Sequence, residues 1–174
     1  MPVLVGQGLH KDHAGGVPVL SLHQLITEGL VVLDFESDTK PQAIEHLVDT
    51  LVETNQLPHK EEILRVIMER EELGSTGIGN GVALPHGRID SIDNVFIVFG
   101  RVKHPIEFDA LDGAPVTLIF LIVSPTQHNE SYLKALSNIS RLLKQEGFRS
   151  TLLKAKRPEE IVEAFVAEAA VCSS

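Results

Sequence analysis

The chain has 174 residues, of which 43% are hydrophobic and 22% are charged, so one globular domain is predicted. The formal net charge of −9 argues against nucleic acid or an anionic membrane as a partner and is compatible with a basic protein. The single cysteine, Cys172, excludes an internal disulfide. With no signal peptide evident and no apolar run long enough to cross a bilayer, a cytoplasmic location without stable membrane insertion is expected.

The first segment, residues 1–22, shows neither helical nor strand periodicity and is expected to be a tail or extension. It holds His10 and His13 in an HxxH spacing, but no third or fourth ligand is evident, so chance spacing is favoured over a metal site. The folded domain is expected over 23–170, followed by a short C-terminal tail over 171–174.

The first half of the domain begins with a predicted strand over 30–35 (LVVLDF). Two helices follow, over 37–55 and 59–74; Pro41 fits the first turn of one, and Gly74 can end the other. After a glycine-rich segment, strands are predicted over 95–102 and 115–123, and the second reads as buried on both faces. A turn is expected between them at Asp112-Gly113.

The remainder of the chain is predicted to be helical, over 129–147, 149–155 and 158–170. The apolar side of the first of these helices is assigned to four residues: Leu133, Leu136, Ile139 and Leu143. Helices mixed with at least three strands predict an α/β domain with helices packed on a sheet.

The glycine-rich segment GSTGIGNGVALPHG, residues 74–87, is the strongest functional signal. It is not a P-loop, because Asn80 stands where that motif requires lysine, and it is not a dinucleotide fingerprint, because a helix rather than a strand precedes it. A flexible loop with an incidental histidine is the alternative. The apolar flank before His86 argues against that alternative, and Pro85 restricts the chain just before the imidazole.

The chemistry of this segment suits a phosphoryl group. Glycines let backbone amides approach an anion, and a neutral imidazole is a competent nucleophile. A phosphorylated His86 would need a cation nearby, which Arg70 or Arg88 could supply. From these residues alone, neither arginine is distinguishable from a solvated surface arginine.

The stretches REELGSTGIGNGVALPHGR and HPIEFDALDGAPVTLIFLIVSP resemble the enzyme IIA domains of the phosphotransferase system, mannitol/fructose type, and especially its nitrogen-regulatory branch. The resemblance runs from about Leu22 to Ala170. It implies a single compact α/β domain with a mixed sheet covered by helices. It also implies a phosphohistidine carrier that receives its phosphoryl group from HPr or a paralogue, with His86 as the acceptor and Arg70 as a contact of the phosphoryl group. No cofactor or metal is implied.

One position departs from the family pattern. Members commonly carry a second active-site histidine at the start of the third long helix, where this chain has Tyr132, and His128 precedes it by four residues. Three possibilities stay open: the phenol substitutes, His128 reaches in, or transfer is weakened. Tyr132 could also serve only to cover an apolar face.

Several functions fit these observations. A regulatory phosphocarrier that binds target proteins is favoured, because no IIB or IIC segment is seen after the IIA-like region. The alternatives are a sugar-specific IIA that passes phosphate to a IIB cysteine, and a binding module of the same fold that no longer accepts phosphate. A histidine-ligated metal hydrolase is disfavoured, because the other histidines show no ligand spacing: His23, His46, His59 and His104.

Overall fold

The central sheet of this computed structural model, which describes residues 22–127 and 129–171, contains six strands in the order β1-β5-β6-β3-β2, with β4 also paired to β6. The strands are β1 (Val31–Phe35), β2 (Gly77–Gly79), β3 (Val82–Ala83), β4 (His86–Ile89), β5 (Phe96–Ile106) and β6 (Val116–Pro125). The sheet is mixed: β5 and β6 are antiparallel, whereas β1 on β5, and β3 and β4 on β6, are parallel.

Helices cover both faces of this sheet. They are α1 (Leu22–Leu25), α2 (Lys40–Asn55), α3 (Lys60–Glu72), α4 (Asn129–Leu143), α5 (Glu146–Lys154) and α6 (Pro158–Val171), and a 3₁₀ turn occupies Glu28–Leu30. The start of α2 is fixed by residues near it in sequence. The Thr39 side chain accepts a hydrogen bond from the backbone N–H of Gln42, and Pro41 lies in the first turn.

The hydrophobic core lies in two layers, one on each face of the sheet. One layer packs α2 and α3 against β5 and β6, and the other packs α4, α5 and α6 against the opposite face. Neighbouring residues of β6 belong to different layers, since Phe120 and Ile122 face α4 while Leu121 and Val123 face α3. The prediction of a strand buried on both faces is therefore confirmed, as is the α/β architecture with a mixed sheet.

The sequence-based assignment was wrong for one residue of the apolar side of α4. Leu133 was placed on the buried side, but it is 57% exposed. The buried positions of this helix are Tyr132, Ala135, Ile139, Leu142 and Leu143. Ile139 and Leu143 are buried as predicted and Leu136 packs partly buried against the core, so only Leu133 was misplaced. Tyr132 lies on the buried side in its stead, beside His86 of β4.

Candidate functional site

His86 is the first residue of β4, which pairs in parallel with β6. The next residue, Gly87, faces α3, since a Cβ atom there would lie 2.9 Å from Cγ1 of Val66, too close for two carbon atoms. Because side chains alternate along a strand, His86 and Arg88 face the opposite way, toward α4. The glycine therefore lets β4 approach α3, and the alternation brings an imidazole and a guanidinium to the same face.

One hydrogen bond fixes the His86 ring. Its Nδ1 lies 2.7 Å from the carbonyl oxygen of Leu84. A carbonyl can only accept, so Nδ1 carries the proton and donates it, which leaves the lone pair of the neutral ring on Nε2. The ring is half-buried, and its nucleophilic nitrogen is the one that the backbone does not occupy.

Burial is the main reason that the pKa of His86 lies below its ordinary value of 6.5. The hydrogen bond to Leu84 raises that pKa in part, the charge of Arg70 lowers it, and the carboxylate of Glu71 raises it again. The direction of the net shift keeps the imidazole neutral at pH 7, which is the state in which a ring nitrogen can attack phosphorus.

The glycine-rich segment is a short hairpin rather than a featureless loop. Strands β2 and β3 are antiparallel, and the two residues between them, Asn80 and Gly81, have φ angles of 56° and 76°. Two successive positive φ angles at an Asn-Gly pair are typical of a type I′ turn. The backbone N–H of Asn80 donates to a carboxylate oxygen of Asp112 at 2.9 Å, which joins the hairpin to the loop before β6.

A close backbone approach explains Gly77 at the start of β2. A Cβ atom there would lie 2.7 Å from Cβ and 2.8 Å from Cα of Ala110, so no larger residue fits without a shift of the backbone. The Leu111 amide donates to the Gly77 carbonyl at 3.0 Å. Gly77 therefore packs the hairpin against the chain before β6.

The buried carboxylate of Glu71 holds the hairpin to the end of α3. One of its oxygens accepts from the Thr76 amide at 3.0 Å and from the Lys40 ammonium at 3.2 Å, and the other accepts from the Thr76 hydroxyl at 2.5 Å. The Thr76 carbonyl in turn accepts from the Leu84 amide, and the Leu84 carbonyl accepts from His86. A continuous chain of hydrogen bonds therefore links the end of α3 to the imidazole.

Arg70 lies one residue before Glu71, in the last turn of α3. Its Nη1 donates to the Gly74 carbonyl at 2.9 Å, which directs the guanidinium along the glycine-rich segment. Its charge acts on two groups, because it lowers the pKa of both His86 and Tyr132. The structure therefore brings Arg70 near both of the other residues that the sequence analysis assigned to the site.

Tyr132, in the first part of α4, is buried and lies beside the histidine. The centres of the Tyr132 and His86 rings are 6.0 Å apart, with the ring planes tilted by 55°. Burial is the main reason that the pKa of the phenol lies above its ordinary 10.0, which keeps the hydroxyl protonated. Tyr132 both belongs to the apolar core and faces the imidazole, so its two sequence-based interpretations are compatible.

Three residues that the sequence predicts for the site lie near one another in the structure: His86, Arg70 and Tyr132. His128 falls outside the described residues, as do His10 and His13. The sequence did not predict the network formed by Glu71, Thr76 and Lys40. A charged side chain on a predicted helix is expected to be solvated, and nothing in the sequence shows that these three residues meet. The hairpin had a signal that was not used, namely the Asn80-Gly81 pair.

No helix in the described part of the chain combines the length and the apolar character needed to cross a membrane. Residues 24–167 match the family model described as phosphoenolpyruvate-dependent sugar phosphotransferase system, EIIA 2.

Curated relatives point in two directions. The chain is 35% identical over 144 residues to the fructose-specific EIIABC component of Bacillus subtilis, which covers 83% of this chain but only 23% of that longer protein. It is 32% identical over 143 residues to a nitrogen regulatory protein of Bradyrhizobium diazoefficiens, covering 82% of this chain and 92% of the relative.

Among solved structures, the nitrogen regulatory protein IIA-Ntr of Neisseria meningitidis superposes with a TM-score of 0.78 at 31% identity. That match covers 83% of this chain and 98% of the other. The hairpin, the histidine strand and the facing helix all lie within the range that matches the family model. The chain therefore belongs to the EIIA 2 family of the phosphotransferase system, and it is an EIIA-type phosphocarrier.

Proposed function

We propose that His86 accepts a phosphoryl group on Nε2 from a phosphohistidine of a small carrier protein, HPr or a paralogue, and that the phosphorylated and free forms bind different regulatory targets. The observation that carries the first part is the 2.7 Å contact between Nδ1 of His86 and the Leu84 carbonyl. It directs the Nε2 lone pair away from the backbone while the lowered pKa keeps the ring neutral.

The transfer exchanges one P–N bond for another. The lone pair of His86 Nε2 attacks phosphorus, the P–N bond of the donor breaks, and its electron pair returns to the donor's ring nitrogen. Because the bond formed and the bond broken are of the same kind, the equilibrium depends on how well each protein stabilises the phosphoryl group. The surroundings of His86 therefore set how much of the carrier is phosphorylated.

Arg70 is the group expected to bind the phosphoryl oxygens. A guanidinium presents donors in a planar fork that matches two oxygens, whereas lysine acts as a point charge. Its contact with the Gly74 carbonyl uses Nη1. Tyr132 is expected to donate one hydrogen bond from its neutral hydroxyl, to the His86 ring or to a phosphoryl oxygen.

Two exposed leucines flank the glycine-rich segment that leads to His86. Leu73, next to the end of α3, is 85% exposed, and Leu111, which is hydrogen-bonded to the hairpin, is 82% exposed. Large apolar side chains exposed this fully are typical of contact surfaces when they lie together. We expect the carrier to dock over these two leucines, and the net charge of −9 favours a partner with basic residues.

The regulatory role is supported by similarity that extends over 92% of one nitrogen regulatory protein and 98% of another. The alternative is a sugar-specific IIA that passes phosphate to a cysteine of a IIB domain. It is supported by the 35% identity to the fructose-specific EIIABC component of Bacillus subtilis. Phosphoryl transfer to a IIB domain, followed by sugar phosphorylation, would favour the alternative.

The experiment combines the chain with enzyme I, HPr and phosphoenolpyruvate and measures intact mass. We expect one added phosphoryl group, stable in base and labile in acid, as a phosphoramidate is. His86→Ala should keep its fold and carry no phosphate. The matched control is His104→Ala, which removes an exposed histidine of β5. Labelling of His86→Ala by HPr would refute the assignment.

Variants of the neighbouring residues test the rest of the site. Arg70→Lys should lower the phosphorylated fraction at limiting donor by about tenfold in the equilibrium constant, because the fork of donors is lost. Tyr132→Phe should lower it less. If Tyr132→Phe has no effect while His128→Ala impairs phosphorylation, His128 and not Tyr132 assists His86.

A further inference from the structure

Arg88 has a buried donor that nothing in the described chain satisfies. Its Nη2 donates to the Thr126 carbonyl, but its Nε is buried without a hydrogen-bond partner. A buried donor on a charged group is costly to leave unpaired, and such orphaned atoms in a well-packed chain require an explanation. The position of this donor, two residues after His86 on the same face of β4, points to a role in the site.

The guanidinium of Arg88 and the imidazole of His86 both face one aromatic ring. The Arg88 guanidinium carbon lies 5.9 Å from the centre of the Tyr132 ring, and the His86 ring centre lies 6.0 Å from it. The 5.9 Å distance is within the range of cation–π attraction. Arg88 and Arg70 both lower the pKa of the Tyr132 phenol, against the larger opposing effect of burial, so the two arginines act on the same ring.

The site holds few cations that can donate hydrogen bonds to a phosphoryl group. Such a group brings about two negative charges at neutral pH. When Nε2 is phosphorylated, the His86 ring keeps the Nδ1 proton that it donates to Leu84 and becomes cationic, but this proton does not face the phosphoryl oxygens. Arg70 supplies one guanidinium, while Lys40 is paired with the carboxylate of Glu71 and the phenol of Tyr132 stays protonated. A second guanidinium on the α4 side would add a charged donor for these oxygens.

We propose that Arg88 is this second cation: its guanidinium, held by the Thr126 carbonyl and lying 5.9 Å from the centre of the Tyr132 ring, stabilises the phosphoryl group carried by His86. This inference rests on the proposed function of His86. It assigns to Arg88 a share of the charge balance that neither Tyr132 nor Arg70 alone provides. Arg88 is therefore expected to affect the phosphorylated form far more than the free one.

The test measures the equilibrium constant for phosphorylation with two donors. One is phosphorylated HPr; the other is potassium phosphoramidate at a fixed ratio to ammonia, which needs no protein. In the second reaction Nε2 attacks phosphorus, the P–N bond of phosphoramidate breaks, and ammonia leaves with the electron pair. Failure with HPr alone contradicts the proposed donor and leaves the Arg88 inference measurable.

Arg88→Met should lower the equilibrium constant roughly tenfold with either donor. Arg88→Gln, which keeps a side-chain N–H for the Thr126 carbonyl but has no charge, should show a similar loss. Arg88→Lys should lose less. The matched control is Arg65→Met on α3, which removes an exposed arginine paired with Glu69 and should leave the constant unchanged.

A double-mutant cycle separates a charge acting on phosphate from a residue that only positions Tyr132. If the charge acts on the phosphoryl group, Arg88→Gln lowers the constant by the same factor in the wild-type and Tyr132→Phe backgrounds. If the effect disappears in the Tyr132→Phe background, Arg88 acts through the phenol and the proposal is wrong. An unchanged constant for Arg88→Gln in a folded protein also overturns it.

Discussion

Arg101 and Arg88 both lie on strands of the same sheet, but they differ in how many of their guanidinium nitrogens have hydrogen-bond partners. Arg101 is 6% exposed, and all three nitrogens of its guanidinium are used. Nε and Nη2 donate to the two carboxylate oxygens of Asp34 at 2.8 and 2.9 Å. Nη1 donates to the carbonyls of three residues at the end of α5, namely Leu152, Leu153 and Ala155.

Arg88, in contrast, retains an unpartnered buried nitrogen. The complete network around Arg101 satisfies carbonyls that the end of a helix would otherwise leave unpaired. It also supports Asp34, which has a φ of 53° and a pKa lowered mainly by the hydrogen bond to Arg101. We therefore expect the fully satisfied Arg101 to serve stability, and the incompletely satisfied Arg88, two residues from His86, to serve the site.

The largest expected effect on stability is that of Arg101→Met. It leaves the carbonyls at the end of α5 without their donor and removes both bonds to Asp34, so we expect the free energy of unfolding to fall by about 3 kcal/mol. Urea unfolding followed by circular dichroism measures this.

Arg88→Met provides the comparison in the same assay, with an expected loss below about 1 kcal/mol because it removes one hydrogen bond and an already unpaired donor. If Arg88→Met proves the more destabilising of the two, the distinction between the two arginines fails.

Glu71→Gln should lower both the stability of the fold and the phosphorylated fraction. Its loss of stability should lie between those of Arg101→Met and Arg88→Met. The carboxylate accepts three hydrogen bonds, and an amide in its place turns one acceptor into a donor facing Thr76 or Lys40. We expect a loss of about 2 kcal/mol in the free energy of unfolding. The phosphorylated fraction should also fall, because Thr76 and Leu84 no longer hold His86 in place.

The control for this carboxylate is Glu72→Gln, which changes the adjacent exposed glutamate at the end of α3. It should alter neither the urea midpoint nor the phosphorylated fraction. A Glu71→Gln protein with normal stability and normal phosphorylation would show that the hydrogen-bonded chain from α3 does not position the histidine.

The smallest expected effect is a shift in the titration of His86. Its pKa in the folded protein lies below the ordinary 6.5, so the unfolded chain takes up a proton first, and stability from this group is lost as the pH falls from about 6.5 through the folded pKa. Arg70→Met removes the positive charge that, together with burial, lowers the pKa, so the midpoint should move upward.

Nuclear magnetic resonance of the His86 ring measures that midpoint directly, and Arg65→Met serves as a control for the loss of a charge elsewhere on α3. A midpoint that stays fixed or moves downward in Arg70→Met would place Arg70 too far from the imidazole to act on it.

Local patterns predicted most of the regular structure. Elements were specified by interactions close in sequence: Pro41 and apolar residues spaced three or four apart specify α2, and an unbroken apolar run specifies β6. The short strands around the glycine-rich segment were not predicted, since two to four residues are too few for a periodic signal. The misplacement of Leu133 in α4 has a related cause: Tyr132 and Leu133 are both apolar enough to be buried, and only contact with β4 selects Tyr132.

The sequence by itself determined the architecture and the family, and it singled out His86 as the proposed phosphoryl acceptor. The reason is that GSTGIGNGVALPHG concentrates residues that allow close backbone approach next to one histidine that follows a proline. Only the tertiary structure decided which charges face it. Lys40, Glu71 and Thr76 are joined across separate elements, and Arg88 meets Tyr132 across 44 residues of chain through side-chain directions that no local pattern encodes. Whether a charged side chain is solvated or buried depends on packing between distant segments, so the chemical balance of the site was fixed by the fold.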